Sequence, residues 1–399
     1  MADDEPRNVK ELLVAAKDAS ELLIDLAYAA VLFDDEDLAH EVEILEERMD
    51  GYLRRLRTLA ILAARSPEDA EGIESVLWIA GAIDQIGDAA SDIARVVEAK
   101  LGIPHQLRAD LRHADEVAGR VKVREGALVG GRSLRDLSLP TETGMWLLAI
   151  RRGRDWEFDP GPDSVVSEGD VLVYQGPEEG MNLIREMAGA PPLPPSPESG
   201  GPPLSELDRA VDILVEMKNA AEVAVGLAYA SLMFNDRALA AEVEMLETRS
   251  DFLHDELESW VLRAAPEARN PDDLRGLLRI AAASESICDA ARDITWYVEH
   301  GERPHPVIQM ALEETEETGA ETVVETGSQA EGHSLRQLRL QTETGMFVLA
   351  VQRGRRWVYR PRGRFSLQAG DRIVAIGPEA GAKELDALCR AARPEAGPN

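Results

Sequence analysis

Carboxylates four residues apart recur along this chain on segments with helical periodicity. Glu46 with Asp50 is one such pair and Asp88 with Asp92 another. Glu247 with Asp251, and Asp289 with Asp293, repeat the spacing in the second half. At that spacing both side chains of a pair share one helix face. Facing pairs on two helices could hold a cation, as carboxylates do in metal-binding helix bundles. In the second half His254 joins the face of Glu247 and Asp251, where the first half has Leu53. Histidine is a common transition-metal ligand, so the second set is the better metal candidate. The competing reading is that a chain with 74 acidic residues places many at this spacing by chance, solvated.

Arginine supplies the second candidate chemistry. Between Arg353 and Arg372 stand seven arginines, Arg353, Arg355, Arg356, Arg360, Arg362, Arg364 and Arg372, against one acid, Asp371. The matching stretch of the first half, Arg151 to Asp170, has three arginines against six acids. Guanidinium forks match phosphate oxygens, so the patch reads as an anion site. Strand alternation would put Arg356, Val358 and Arg360 on one face and Trp357 with Tyr359 on the other. Equally, these arginines could pair with the chain's own acids. Trp156 and Trp357 could stack on a base, but an indole in a half-buried strand more commonly fills a core. The seven histidines form no HExxH, and no Ser/His/Asp or Cys/His arrangement stands out, so nothing reads as catalysis.

The elements that must carry these residues come in two matched sets. Thr141-Glu142-Thr143-Gly144-Met145 returns 201 positions later as Thr342-Glu343-Thr344-Gly345-Met346. The same offset relates Trp156 to Trp357, Gly169-Asp170 to Gly370-Asp371, and Gly176-Pro177 to Gly377-Pro378. This is an internal duplication. Residues 8 to 100 read as three long amphipathic helices joined by short loops, hence an antiparallel bundle. Asp34 or Asp35 can cap the second helix, and Ser66-Pro67-Glu68-Asp69 starts the third. From about Val117 the period changes to that of strands: Val117–Val123, a hairpin of Met145–Ile150 with Arg154–Phe158, Val171–Tyr174, and a closing helix from Pro177 to Ala188. A Pro- and Gly-rich linker follows, and the second half repeats the programme, with Asn270-Pro271 opening its third helix.

Composition narrows the classes. Net charge is -31, and only 6 of the 43 basic residues are lysine. Such a surface suits a high-salt, halophilic cytoplasm and argues against nonspecific nucleic-acid binding. Two cysteines, Cys288 and Cys389, with no metal spacing, read as buried thiols of a reducing, cytoplasmic compartment. No basic leader opens the chain, and no apolar run is long enough to span a membrane.

Gly131-Arg132-Ser133-Leu134, Thr143-Gly144, a strand ending at Ile150, Gly169-Asp170-Val171-Leu172 and Gly176 resemble the TrkA C-terminal domain, the C-terminal lobe of RCK regulators of potassium conductance. Gly332-His333-Ser334-Leu335, Gly345 and Gly370-Asp371 repeat the pattern. The helical segments resemble PhoU, through helix layout and acidic spacing. The implied fold class is multidomain α and α+β: two three-helix PhoU-like bundles alternating with two small α+β TrkA-C domains. The expected order is PhoU-like 1–116, TrkA-C 117–188, linker 189–204, PhoU-like 205–318 and TrkA-C 319–392. The resemblance implies a soluble, non-enzymatic regulatory subunit of a membrane cation transporter, usually for potassium. It also implies TrkA-C pairing, as a homodimer or within the chain, with cyclic di-AMP bound at the pair in several relatives. PhoU-like proteins use Glu/Asp-x-x-x-Asp pairs as ligands of divalent or iron-type metals. A metal-storing or phosphate-signalling protein, and a ligand-free scaffold, stand as alternatives. The usual Rossmann partner of the RCK lobe is missing, since Gly126–Gly131 lacks Gly-x-Gly-x-x-Gly.

Overall fold

The computed structural model of the chain describes residues 6–102, 117–153, 155–158, 160–176, 178–192, 206–267, 271–315 and 318–391. The first half runs α1 (Val9–Phe33), α2 (Glu36–Ala63), α3 (Pro67–Glu98), β1 (Val117–Lys122), α4 (Leu134–Leu137), α5 (Leu139–Thr143), β2 (Trp146–Arg152), β3 (Asp155–Phe158), β4 (Val171–Gly176) and α6 (Glu178–Met187). The second runs α7 (Glu206–Phe234), α8 (Arg237–Ala264), α9 (Pro271–Glu299), α10 (Pro306–Leu312), β5 (Thr318–Val323), α11 (Leu335–Leu338), α12 (Leu340–Thr344), β6 (Phe347–Arg353), β7 (Arg356–Tyr359), β8 (Arg372–Gly377) and α13 (Glu379–Cys389). No described helix is long and apolar enough to cross a membrane.

Side-chain caps mark where the long helices begin. Asn8 accepts from the Glu11 N–H to open α1, Asp35 accepts from Asp37 and Leu38 to open α2, and Ser66 accepts from Asp69 to open α3 with Pro67 at its first position. Asp34 takes the left-handed conformation that stops α1, at φ 51°. Asn270, expected to open α9, and most of the 189–204 linker lie outside the described residues.

Four segments in sequence make two units in space. Met1–Gly119 with Pro194–Thr315 is one, Arg120–Leu193 with Glu316–Asn399 the other. In the helical unit α1–α3 and α7–α9 are two bundles, and α3 of one packs on α9 of the other. Buried polar groups lock this seam in a near-symmetric pattern. The Lys17 ammonium lies 5.6 Å from the Tyr229 ring, and that of Lys218 lies 5.3 Å from the Tyr28 ring. Both lysines are about 5% exposed, and each pairs along its own helix, Lys17 with Glu21 at 2.6 Å and Lys218 with Glu222 at 2.5 Å. Tyr28 shares a hydrogen bond with Ser284 at 2.7 Å, and Tyr229 shares one with Ser20 at 3.0 Å. Helix α10 packs on α1; its seven residues are too few for periodicity to reveal, and it was not expected.

The other unit holds two four-stranded sheets of orders β1-β4-β2-β3 and β5-β8-β6-β7. The registered pairs are antiparallel, and the pairings of β2 with β4 and of β6 with β8 each carry a register shift, at Leu147/Ala149 and Val348/Ala350. Met145, Ile150, Leu172, Tyr174 and Ile184 lead one core, and Met346, Val351, Ile373, Leu385 and Cys389 the other. The repeated Thr-Glu-Thr-Gly-Met is a helix end, not the simple strand entry its sequence suggests. Thr143 and Thr344 donate their hydroxyls to the carbonyls of Leu139 and Leu340 at 2.7 Å. The same hydroxyls accept the N–H groups of Met145 and Met346, and Gly144 and Gly345 end α5 and α12 in the left-handed region. Helices α5 and α12 then pack on each other, with Pro140 against Gly345 and Gln341 donating to the Gly144 carbonyl at 3.3 Å. The two sheet domains therefore pair within one chain.

Candidate ligand and cation sites

The seven arginines of the second sheet domain do not act together. Arg353, at the end of β6, forks onto Asp371 at 2.7 and 2.6 Å and donates to the Ser366 carbonyl. Arg152 does the same in the first half, with Asp170 and the Val165 carbonyl. The Gly-Asp landmark thus has a local purpose: Gly370, at φ 87°, turns the chain so that buried Asp371 meets this guanidinium. Arg372 pairs with Glu321 at 2.8 Å and lies 5.7 Å from the Trp357 ring. Alternation fails at Arg360. That residue lies beyond β7 with φ 39°, and its buried guanidinium lies 5.0 Å from the Phe347 ring. It therefore does not share a face with Arg356. Arg355, Arg356, Arg362 and Arg364 remain on the surface around the β6–β7 hairpin, β7 being an edge strand. Trp156 and Trp357 are half-buried outside both cores, and Arg151 lies over Trp156 as Arg372 does over Trp357. Both cysteines are buried, and burial pushes each thiol up to about 12.

The acidic sets lie where α2 meets α3 and where α8 meets α9. In the first bundle, partial burial raises the carboxyls of Glu46, Asp50 and Asp88 above their usual range. Mutual repulsion adds to this, and Asp50 also shares a hydrogen bond with Asp84 of α3. Glu46, Asp50 and Asp88 make no ion pair with any described residue. Cations cover only the ends of the set: Arg57 holds Asp84 at 2.6 Å, while Arg95 and Arg279 hold Asp92 at 3.3 and 3.1 Å. In the second bundle Glu247, Asp251 and Asp289 offer oxygens within 4.8 Å of one another. Arg292 donates to Glu247 and lies 4.0 Å from Asp289 and 3.7 Å from Asp293. His254 does not join them: its Nδ1 meets Glu285 of α9, and its Nε2 lies 3.7 Å from Glu258. Sequence reasoning passed over Arg292, although its counterpart at the 201-residue offset, Ser91, differs in charge.

Models of the PhoU domain match residues 13–97 and 214–298, and models of the TrkA-C domain match 119–189 and 320–390. The chain is a tandem PhoU and TrkA-C protein. Both domain types belong to regulatory, non-catalytic families. The solved PhoU of Pseudomonas aeruginosa is 15% identical over 73% of this chain and 96% of that one, with a TM-score of 0.42. The phosphate transport system regulatory protein PhoU of Streptococcus pneumoniae is 10% identical over 74% and 95%, with a TM-score of 0.39. The RCK_C domain dimer of S. agalactiae BusR in complex with c-di-AMP is 25% identical over 18% and 95%, with a TM-score of 0.18. No curated protein matches.

The two PhoU domains differ in their fitness for a metal. Glu46, Asp50 and Asp88 of the first are hard oxygen donors that make no ion pair with a described residue, but they are not among the described groups whose oxygens converge within 4.8 Å. Glu247 and Asp289 of the second already hold a guanidinium and do not fit. A pH dependence follows for the first set. A carboxyl whose pKa is higher in the folded chain binds its proton more tightly there. Its contribution is fully present below the usual carboxylate range and is lost as pH rises through the raised values. Asp50→Asn should therefore raise the metal-free Tm at pH 7 by the equivalent of under about 1 kcal/mol, since the group is partly solvated. The gain should vanish near pH 4, and thermal melts at the two pH values check this; an equal gain at both would contradict the repulsion.

Proposed function

We propose that this chain is a cytoplasmic regulator of a membrane cation transporter, with potassium the first ion to test. Its paired TrkA-C domains bind a small phosphate-bearing anion, and its paired PhoU domains carry the response. The observation that carries this reading is the exposed Arg355, Arg356, Arg362 and Arg364 on one member of an intrachain TrkA-C pair, in a chain of net charge -31. Guanidinium forks match phosphate oxygens, so several on one hairpin can meet a phosphate-bearing anion at more than one point. Cyclic di-AMP is the natural probe, because the BusR RCK_C dimer was solved with it.

The test is calorimetric titration of the full chain with cyclic di-AMP in KCl, beside Arg355→Glu/Arg356→Glu and Arg362→Glu/Arg364→Glu. Saturable binding is expected, weakened about tenfold or more in at least one variant, since a charge-assisted contact contributes about 1.5–3 kcal/mol. Binding unchanged in both variants would move the site from the hairpin to the α5–α12 seam. No binding to the unaltered chain would remove this dinucleotide. A second reading, metal binding with the TrkA-C domains only pairing, is favoured by the uncovered Glu46, Asp50 and Asp88.

A further inference from the structure

The two PhoU domains keep the same carboxylate ladder but not the same cation. On α9 the ladder is Glu285, Asp289 and Asp293, and α8 adds Glu247 and Asp251. Arg292 reaches into it from the same helix as Asp289 and Asp293, with one amino group on Glu247 and the other between the two aspartates. His254 sits at the Glu285 end. In the first domain the ladder is Asp84, Asp88 and Asp92, and the residue in the register of Arg292 is Ser91, buried and short. There the centre of the ladder, Asp88, carries no ion pair with any described residue.

We infer that Arg292 is the resident cation of the second PhoU domain and closes its carboxylate cluster to a metal ion. A guanidinium is always charged and bridges several carboxylates at once. A divalent ion binding Glu247, Asp251 and Asp289 would have to bring its charge against that guanidinium or displace it from Glu247. The three carboxylates converge within 4.8 Å in the domain that has Arg292, and two of them, Glu247 and Asp289, lie against its guanidinium. The second cluster, better equipped by its histidine when read from sequence, is thus a closed ion-pair network.

The experiment uses the full chain, stripped of metal and titrated with Mn²⁺, free Mn²⁺ being read by its spin-resonance signal. The unaltered chain is compared with Arg292→Ser, which installs the first domain's residue, and with Arg292→Gln, which keeps length without charge. Glu247→Gln/Asp251→Asn is added to each background. Expected is one further saturable Mn²⁺ site in Arg292→Ser or Arg292→Gln, abolished by Glu247→Gln/Asp251→Asn, while those two changes alone leave Mn²⁺ binding by the unaltered chain untouched. Two results would overturn the inference. One is no added site in a variant that keeps native helical circular dichroism. The other is loss of Mn²⁺ from the unaltered chain on Glu247→Gln/Asp251→Asn. The outcome is independent of any dinucleotide bound by the TrkA-C domains.

Discussion

Gly381→Ala should unfold the second TrkA-C domain while leaving the PhoU bundles folded. Gly381 is in the first turn of α13, and a methyl group there would sit 1.8 Å from the Thr344 carbonyl oxygen and 3.2 Å from the Met346 side chain. The oxygen is backbone at the end of α12, where the chain is committed to the left-handed Gly345. It cannot swing aside as a side-chain tip would. Overpacking of a core costs about 1–3 kcal/mol, and a backbone clash belongs at or above the top of that range. Helix propensity works the other way, since alanine is about 1 kcal/mol better than glycine in a helix. The sign of the change in Tm therefore decides between the two effects. Denaturation followed by tryptophan fluorescence, which includes Trp357, should show a lost or early transition. A stabilised variant would mean that the α12–α13 approach is looser than described. Gly180, 2.2 Å from the Thr143 carbonyl by the same construction, should behave likewise in the first domain.

Asp371→Asn should cost the same domain about 2–3 kcal/mol. The carboxylate is 1% exposed and accepts two bonds from Arg353 and one from the Gln368 N–H. Breaking a fully buried pair costs about 3–5 kcal/mol, but Arg353 is about one-third exposed and can rehydrate, which places the effect lower. A double-mutant cycle with Arg353→Met isolates the coupling. A coupling below about 0.5 kcal/mol would make this a surface pair of no consequence. The variant also tests the arginine face. Asp371→Asn releases Arg353, so an anion site built on Arg353 would gain affinity in the folded variant, whereas a site on Arg355, Arg356, Arg362 and Arg364 would not.

Long-range order was legible because duplication and periodicity repeat their signal over many residues. The caps at Asp35 and Ser66 were readable for a local reason: each is a short polar side chain that closes onto N–H groups two or three residues on. Helices α5 and α12, at five residues each, are shorter than two turns and leave no periodic trace. Their role in pairing the TrkA-C domains was equally invisible, since contact across 201 residues has no local signature. Arg360 misled because strand alternation assumes an unbroken strand, and the chain turns left-handed at that residue. His254 misled because sharing a face with Glu247 and Asp251 does not determine which neighbour it meets, and Glu285 on the facing helix was nearer. Arg292 could have been found by comparing the two halves at fixed offset, since a substitution that changes charge beside a repeated carboxylate ladder stands out only in that comparison.

The pairing of like domains inside one polypeptide has a consequence for how the molecule can change. A homodimer must accept every substitution twice, once on each side of its axis, so a guanidinium beneficial on one side is imposed on the other. Here Ser91 and Arg292, or Asp155 of β3 and Arg356 of β7, are separately encoded and free to part company. The seam also cannot be diluted apart: its two faces are tethered, and their local concentration is set by the chain rather than by expression level. Fusion has given this molecule two unlike halves that always meet.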